Sequence, residues 1–288
     1  MDSALYEGDR LSGWEVACPR RPSPFDGVEV AGFRDRAAGG LDLRVIPQPI
    51  VTVVIELGDD ALDVENTSGS RALRSFAAGL SPGEARIRGE RVDCVEIRMS
   101  PVSAYSLLGV SLSDLSGVVI GLDDLWRHEP RLREQLTGAR EWEDRFALMD
   151  DFLARRHASA PSMDLEVVAS WEHIVSRRGQ VRVGDLAVSC GWSRKRLWSR
   201  FTAQVGLTPK RAAMLVRFDR AVRGLSAGRS AADVAVVCGY VDQSHLHRDV
   251  LAFAGCTPGA LGSPPETNTA GDRNESLTAS SGEHSSKT

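Results

Sequence analysis

An α+β fold is predicted by three observations on this 288-residue chain. Short β-branched runs lie between Val28 and Met99, apolar residues take up helical spacing beyond Pro101, and one segment occurs twice towards the C-terminal end. The expected organisation is a small antiparallel β-sheet or barrel with helices over residues 1–157, a linker at 158–163, an all-α part at 164–264 and a disordered tail at 265–288.

Val28–Phe33, Leu41–Ile46 and Ile50–Leu57 are separated by Gly39-Gly40, Pro47, Pro49 and Gly58-Asp59-Asp60, residues that break regular structure. Val95–Met99 alternates apolar and charged residues, as a strand with one wet face does. Asn66–Ser70 and the glycine-rich Gly79–Gly89 read as connections. Tyr105 with Leu108, then Trp142, Phe146, Met149 and Leu153, fall on helical faces that close this first part and offer a dimer face. Ala158–Ser162 reads as the linker, and the helix after it is expected to turn Leu165, Val168, Trp171 and Val175 inward. The last 24 residues hold no aromatic side chain and one large aliphatic, Leu277, too little apolar surface to order a chain.

Charge is unevenly distributed. The net charge is −4, yet residues 177–249 hold 14 Arg and Lys against 5 Asp, or +9, which leaves −13 for the remainder. Only the C-terminal part suits a polyanion. Five cysteines without a C-x-x-C pair fit free thiols in a reducing compartment. The acidic start carries no signal-peptide pattern, and the longest apolar run, Ile50–Leu57, is too short to span a bilayer, so a cytoplasmic protein with no membrane partner is expected.

The duplication is the most informative feature. Leu186–Trp192 recurs as Val234–Tyr240, and Gly206-Leu207-Thr208-Pro209 recurs as Gly255-Cys256-Thr257-Pro258. Each copy reads as a helix, a turn at glycine and a second polar helix, which is a helix-turn-helix; the units are placed at 184–206 and 231–255. Ser193, Thr208, Ser230 and Asp242 are suited to cap the helices that follow, and Pro209 to open a long connector. With Leu197 and Phe201 in the core, the first unit leaves Arg194, Lys195, Trp198, Ser199 and Arg200 for DNA; the second leaves Gln243, Ser244, His245, His247 and Arg248. A helix fits the major groove, where Gln and Arg match adenine and guanine edges. The connector stripe Leu215, Phe218, Val222 and Leu225 packs against both units and sets them roughly 34 Å apart, one turn of DNA.

On these residues the chain resembles the AraC/XylS family. The resemblance rests on Ala187-x-x-x-Gly191-x-Ser193-x-x-x-Leu197-x-x-x-Phe201, on Gly206-x-Thr208-Pro209, on Gly239–Leu246 with Arg248, and on Gly255-x-Thr257-Pro258. It covers about a third of the chain. It implies a transcriptional regulator of promoter DNA, often a dimer, that contacts RNA polymerase if it activates. It also implies an N-terminal sensing and dimerising barrel, for which a cupin-like form is one option, answering to a small-molecule effector. The pattern departs from the family at Ser199, where a base-contacting arginine is usual, and at Val250 and Leu251, where an aromatic and a basic residue are usual.

Other readings compete with these. For Trp198 and His245, packing or phosphate contact competes with base contact. His245 and His247, two apart on a helix, diverge and do not share an ion, and Cys190 and Cys238 read as small buried side chains. Gly79–Gly83 matches G-x-S-x-G, but Pro82 lacks the N–H that this elbow needs. Trp14, Phe25, Phe33, Phe76, Tyr105 and Trp126 line either an effector pocket or a core. No catalytic residue, metal site or cofactor is expected. The alternatives are a regulator whose N-terminal part only dimerises, and an enzyme brought to DNA by the C-terminal module.

Overall fold

The computed structural model describes residues 13–81, 83–126 and 129–262. The acidic start, Pro82 and the tail from 265 lie outside the described residues. The strands are β1 (Trp14–Ala17), β2 (Val28–Asp35), β3 (Leu41–Val45), β4 (Val51–Glu56), β5 (Leu62–Asn66), β6 (Gly69–Leu73), β7 (Ser75–Ala78), β8 (Ala85–Gly89), β9 (Asp93–Met99) and β10 (Val119–Gly121). They form two antiparallel sheets, one ordered β1-β2-β9-β4-β7-β10 and one ordered β3-β8-β5-β6. Helices α1 (Pro101–Leu108), α2 (Leu122–Leu125), α3 (Glu129–Gly138) and α4 (Trp142–Ala158) accompany them, with a 3₁₀ turn at Leu112–Leu115.

The six-stranded sheet is covered on both faces. Phe33, Val54, Phe76 and Cys94 meet Leu62, Val64 and Ile87 of the other sheet. Val30, Val53, Ile55, Val95 and Ile97 belong to a second cluster with Leu107, Phe146, Met149 and Leu153 of the helices. A strand between two apolar layers needs no polar face, which is why β4 reads as a nearly unbroken apolar run.

Of two stretches expected to be connections, one is a turn and the other runs into a strand. Asn66–Ser70 turns from β5 into β6, and Gly79–Gly89 ends in β8. Strand β6 is an edge strand exposed almost throughout and held by its backbone ladder to β5, so it has no buried face to betray it. In β8, Arg86 and Arg88 face outward to Asp42 and Glu65, while Ile87 packs inward.

Helices α5 (Leu165–Ser176), α6 (Val183–Ser189), α7 (Arg194–Val205), α8 (Pro209–Ser226), α9 (Ala231–Cys238), α10 (Gln243–Ala254) and α11 (Pro258–Gly262) complete the chain. The inward stripe of α5 is Val167, Ser170, Trp171 and Ile174; Leu165 and Val175 are exposed. An apolar helix offers two stripes of similar width, and tertiary contact chooses between them. Here Asp164, the residue before α5, is held by α7: its N–H donates to Gln204 Oε1 at 3.0 Å and its carboxylate accepts from Arg200.

The two halves share one core. Leu112 and Leu115 belong to the same apolar cluster as Leu197, Phe201 and Val205, and both α1 and the 3₁₀ turn pack against α7. Ser111 Oγ donates to the Ala203 carbonyl at 2.6 Å. Among the described residues no helix is long and apolar enough to cross a membrane.

Candidate nucleic-acid interface

Each helix-turn-helix is built by the same local devices. Ser193 Oγ accepts from the Arg196 N–H to start α7, Thr208 from Arg211 to start α8, Ser230 from Asp233 to start α9, and the Asp242 carboxylate from His245 to start α10. All four match the caps expected from sequence, because capping is decided within a few residues. The turn glycines Gly191 and Gly239 have φ of +65° and +74°, a region closed to most side chains.

The connector α8 buries Leu215, Phe218, Val222 and Leu225 and packs against α5, α7, α9, α10 and α11. Phe218 stacks on Phe253 of α10 at 4.9 Å. Both second helices therefore seat on a common strut: Leu197, Phe201 and Val205 of α7 and Leu246, Val250 and Phe253 of α10 are buried.

On the outer faces, Arg194, Lys195, Trp198, Ser199 and Arg200 are exposed on α7, and Gln243, Ser244, His247 and Arg248 on α10. Trp198 is 54% exposed, unusual for an indole without a partner. These nine side chains stand where solvent or a ligand reaches them. His245 differs: it is half-buried, meets the Tyr240 ring edge-on at 5.2 Å and lies 3.9 Å from Asp249.

Arg200 is exposed but engaged. Its Nε and Nη2 donate to the two oxygens of Asp164 at 2.6 and 2.7 Å, and this pairing holds the Asp164 carboxyl below its usual range. By helical period Arg200 falls on a free face, but its partner lies 36 residues away in sequence.

The corresponding site in the second unit carries Asp249, which is buried and accepts from Arg217 Nη2 of α8 at 2.8 Å. The Arg217 guanidinium also lies over the Tyr240 ring at 4.5 Å. Burial, with the Asp249 charge beside it, pushes the Tyr240 hydroxyl above its ordinary value. Arg196, absent from the expected set, is exposed on α7 with its guanidinium 4.4 Å over the Trp192 ring. The i, i+4 spacing of Trp192 and Arg196 was the available signal.

Other expectations resolve towards packing. Phe33 and Phe76 lie in the core between the sheets, and Cys238 is buried. Cys190 is half-buried, with its sulfur 3.2 Å from Ser170 Oγ. All five cysteines are unpaired thiols. Among the described residues no group of three or more His, Cys, Asp or Glu gathers as a metal site.

A helix-turn-helix domain family profile matches residues 186–262. Over 88 residues, 30% of this chain, the sequence is 33% identical to an uncharacterized HTH-type transcriptional regulator, YbfI, of Bacillus subtilis strain 168. The match spans 31% of that relative's length. Among solved structures, ToxT from Vibrio cholerae is similar over 81% of this chain and 97% of its own, at 9% identity and a TM-score of 0.46. The C-terminal domain of AraT, a response regulator from Geobacillus stearothermophilus, is similar over 40% of this chain and 98% of its own, at 14% identity and a TM-score of 0.35.

Proposed function

We propose that this chain, whose C-terminal part is an AraC-type helix-turn-helix domain, is a sequence-specific transcriptional regulator that reads double-stranded promoter DNA with α7 and α10. One observation carries the reading: two second helices, started by like caps and seated on one connector, keep their polar outer faces uncovered. Gln243 and Arg248 suit base edges in the major groove, whereas Lys195 and Arg194 suit phosphates. Trp198 offers an apolar face for a thymine methyl. Arg200 and His245 act mainly within the protein. The +9 balance of residues 177–249 supports the same partner, because each phosphate neutralised releases condensed counterions.

The proposed divisions are 1–157 for the sensing and dimerising part, 158–163 for the linker and 164–264 for DNA binding. The chain would act as a homodimer, and with RNA polymerase where it activates. A small-molecule effector acts if it binds one arrangement of the two parts better than another.

Selection of bound duplexes from a random pool tests this reading. The expected result is an enriched site with two short elements about one helical turn apart. Recovery of no preferred sequence, with affinity set by salt alone, overturns it.

A further inference from the structure

A cleft of about 400 Å³ opens between α3 and α4, lined by Trp126, Leu132, Phe152, Arg131, Arg155 and Arg156, together with Gln135 and Ser159. Its floor is apolar: Trp126 and Phe152 rings meet at 4.9 Å, and Trp126, Leu132 and Phe152 are buried. Its rim is cationic. Among the described residues none of the three arginines pairs with a carboxylate, whereas Arg34, Arg145 and Arg217 each do. Arg156 lies 5.1 Å over the Trp126 ring and donates only to the carbonyls of Leu107 and Leu108, at 2.5 and 2.9 Å. Among the described residues the buried Trp126 Nε1–H meets no acceptor.

A half-buried guanidinium without a counter-charge is costly to desolvate, and burial holds Arg156 below its usual value. An anion placed here offsets that cost, and the ring floor takes up an apolar body. The space between the two sheets offers no rival, since Phe33, Val54, Phe76 and Cys94 occupy it.

We propose that this cleft binds a small organic anion with a flat apolar body, its charge held by Arg131, Arg155 and Arg156 and its body laid on Trp126, Leu132 and Phe152. The inference rests on the reading of the chain as an effector-responsive regulator and deepens it by giving the effector a place and a chemical class. The position suits control. Arg156 ties the cleft to the last carbonyls of α1, and α1 packs directly on α7, the first DNA-facing helix. An anion that draws Arg156 towards itself therefore competes with those carbonyls.

Calorimetric titration of the full-length protein with millimolar phenylacetate tests the proposal, with phenylacetamide and sulfate as comparison probes. One-to-one binding of phenylacetate is expected, at least tenfold tighter than either probe. It should weaken at least tenfold in the Arg131→Gln, Arg155→Gln double variant, whose substituted side chains are exposed and unpaired, so melting should stay unchanged. No heat with phenylacetate, equal affinity for the amide, equal affinity for sulfate, or full affinity in the double variant each overturns the proposal. Binding of the same protein to its selected duplex without phenylacetate is read separately, so failure of the anion site and failure of the DNA-binding reading are told apart.

Discussion

Seven residues after its cap, α7 carries Arg200, while α10 at the matching place carries Asp249. Arg200 reaches out of its own unit to Asp164, and the pair is wet, with side chains 51% and 24% exposed. Asp249 reaches inward to Arg217 of the connector, and that pair is 7% and 15% exposed. The helix-ending glycines repeat the contrast. A Cβ on Gly206 would lie 2.7 Å from the Leu112 carbonyl oxygen of the N-terminal half, whereas a Cβ on Gly255 would meet only the end of the Glu84 side chain, at 3.6 Å. The second unit also touches the sheets, through the Arg44 guanidinium on the Ala254 carbonyl. Even so, its anchorage is mostly to α8, while the first unit is built into the rest of the molecule. Duplicated sequence produced the same local form twice, and its neighbours then assigned each copy a different attachment.

The comparison is open to breaking by substitution. Removing one member of a buried ion pair strands the other, so Asp249→Ala should cost about 3–5 kcal/mol in chemical denaturation. Arg200→Ala, at a largely exposed pair, should cost about 1 kcal/mol or less. Equal costs would show that the two pairs do the same work.

Next in size is a pH effect in the sheets. Glu56 is fully buried at the end of β4, and burial pushes its carboxyl up to about 7. The folded state then binds the proton more tightly than the unfolded chain, so stability is greatest below the unfolded value and falls as pH rises through about 4.5 to 7. The loss above pH 7 is about 3 kcal/mol, and Glu56→Gln should abolish it. Hydrogen exchange at pH 8 would sharpen the contrast: in that variant amides of α7 should slow with those of the sheets, and amides of α10 should slow less. An equal response of both helices would deny the unequal attachment.

Smaller effects are expected at the glycines. Gly255→Ala pays only for left-handed backbone, about 1–2 kcal/mol. Gly206→Ala, at φ +88°, adds the close approach of Leu112 and should lower the melting temperature further. Finally, on a selected duplex, Arg248→Ala should cost about 1–3 kcal/mol and relax preference at one base pair. Lys195→Ala should weaken all duplexes alike and reduce the salt slope by about one. Quantitative binding across single-base variants separates the two, and a uniform loss for Arg248→Ala would remove its base-reading role.

Much of this was legible in the chain. Ser193, Thr208, Ser230 and Asp242 declare the helix starts because each cap is settled by a side chain and an N–H three residues on. Leu197, Phe201 and the α8 stripe declare the core by their period. What escaped depends on contacts distant in sequence. The phase of α5 is chosen by Gln204 and Arg200, 40 and 36 residues from Asp164, and no local pattern records that. Strand β6 escaped because its side chains face water and only its backbone is paired. Arg200 fits a helix's outer face by period and stays exposed, yet it is paired with Asp164, 36 residues away, while His245 is half-buried against the nearby Tyr240 ring.

The apolar cluster that runs unbroken from Leu112 and Leu115 into Val205 and Phe201 bears on how such a molecule can be rearranged. A chimera joining residues 164–262 to a foreign N-terminal part would carry a greasy scar where the 3₁₀ turn had rested. A successful graft therefore has to transplant that turn with the helices or recolour α7 with polar side chains.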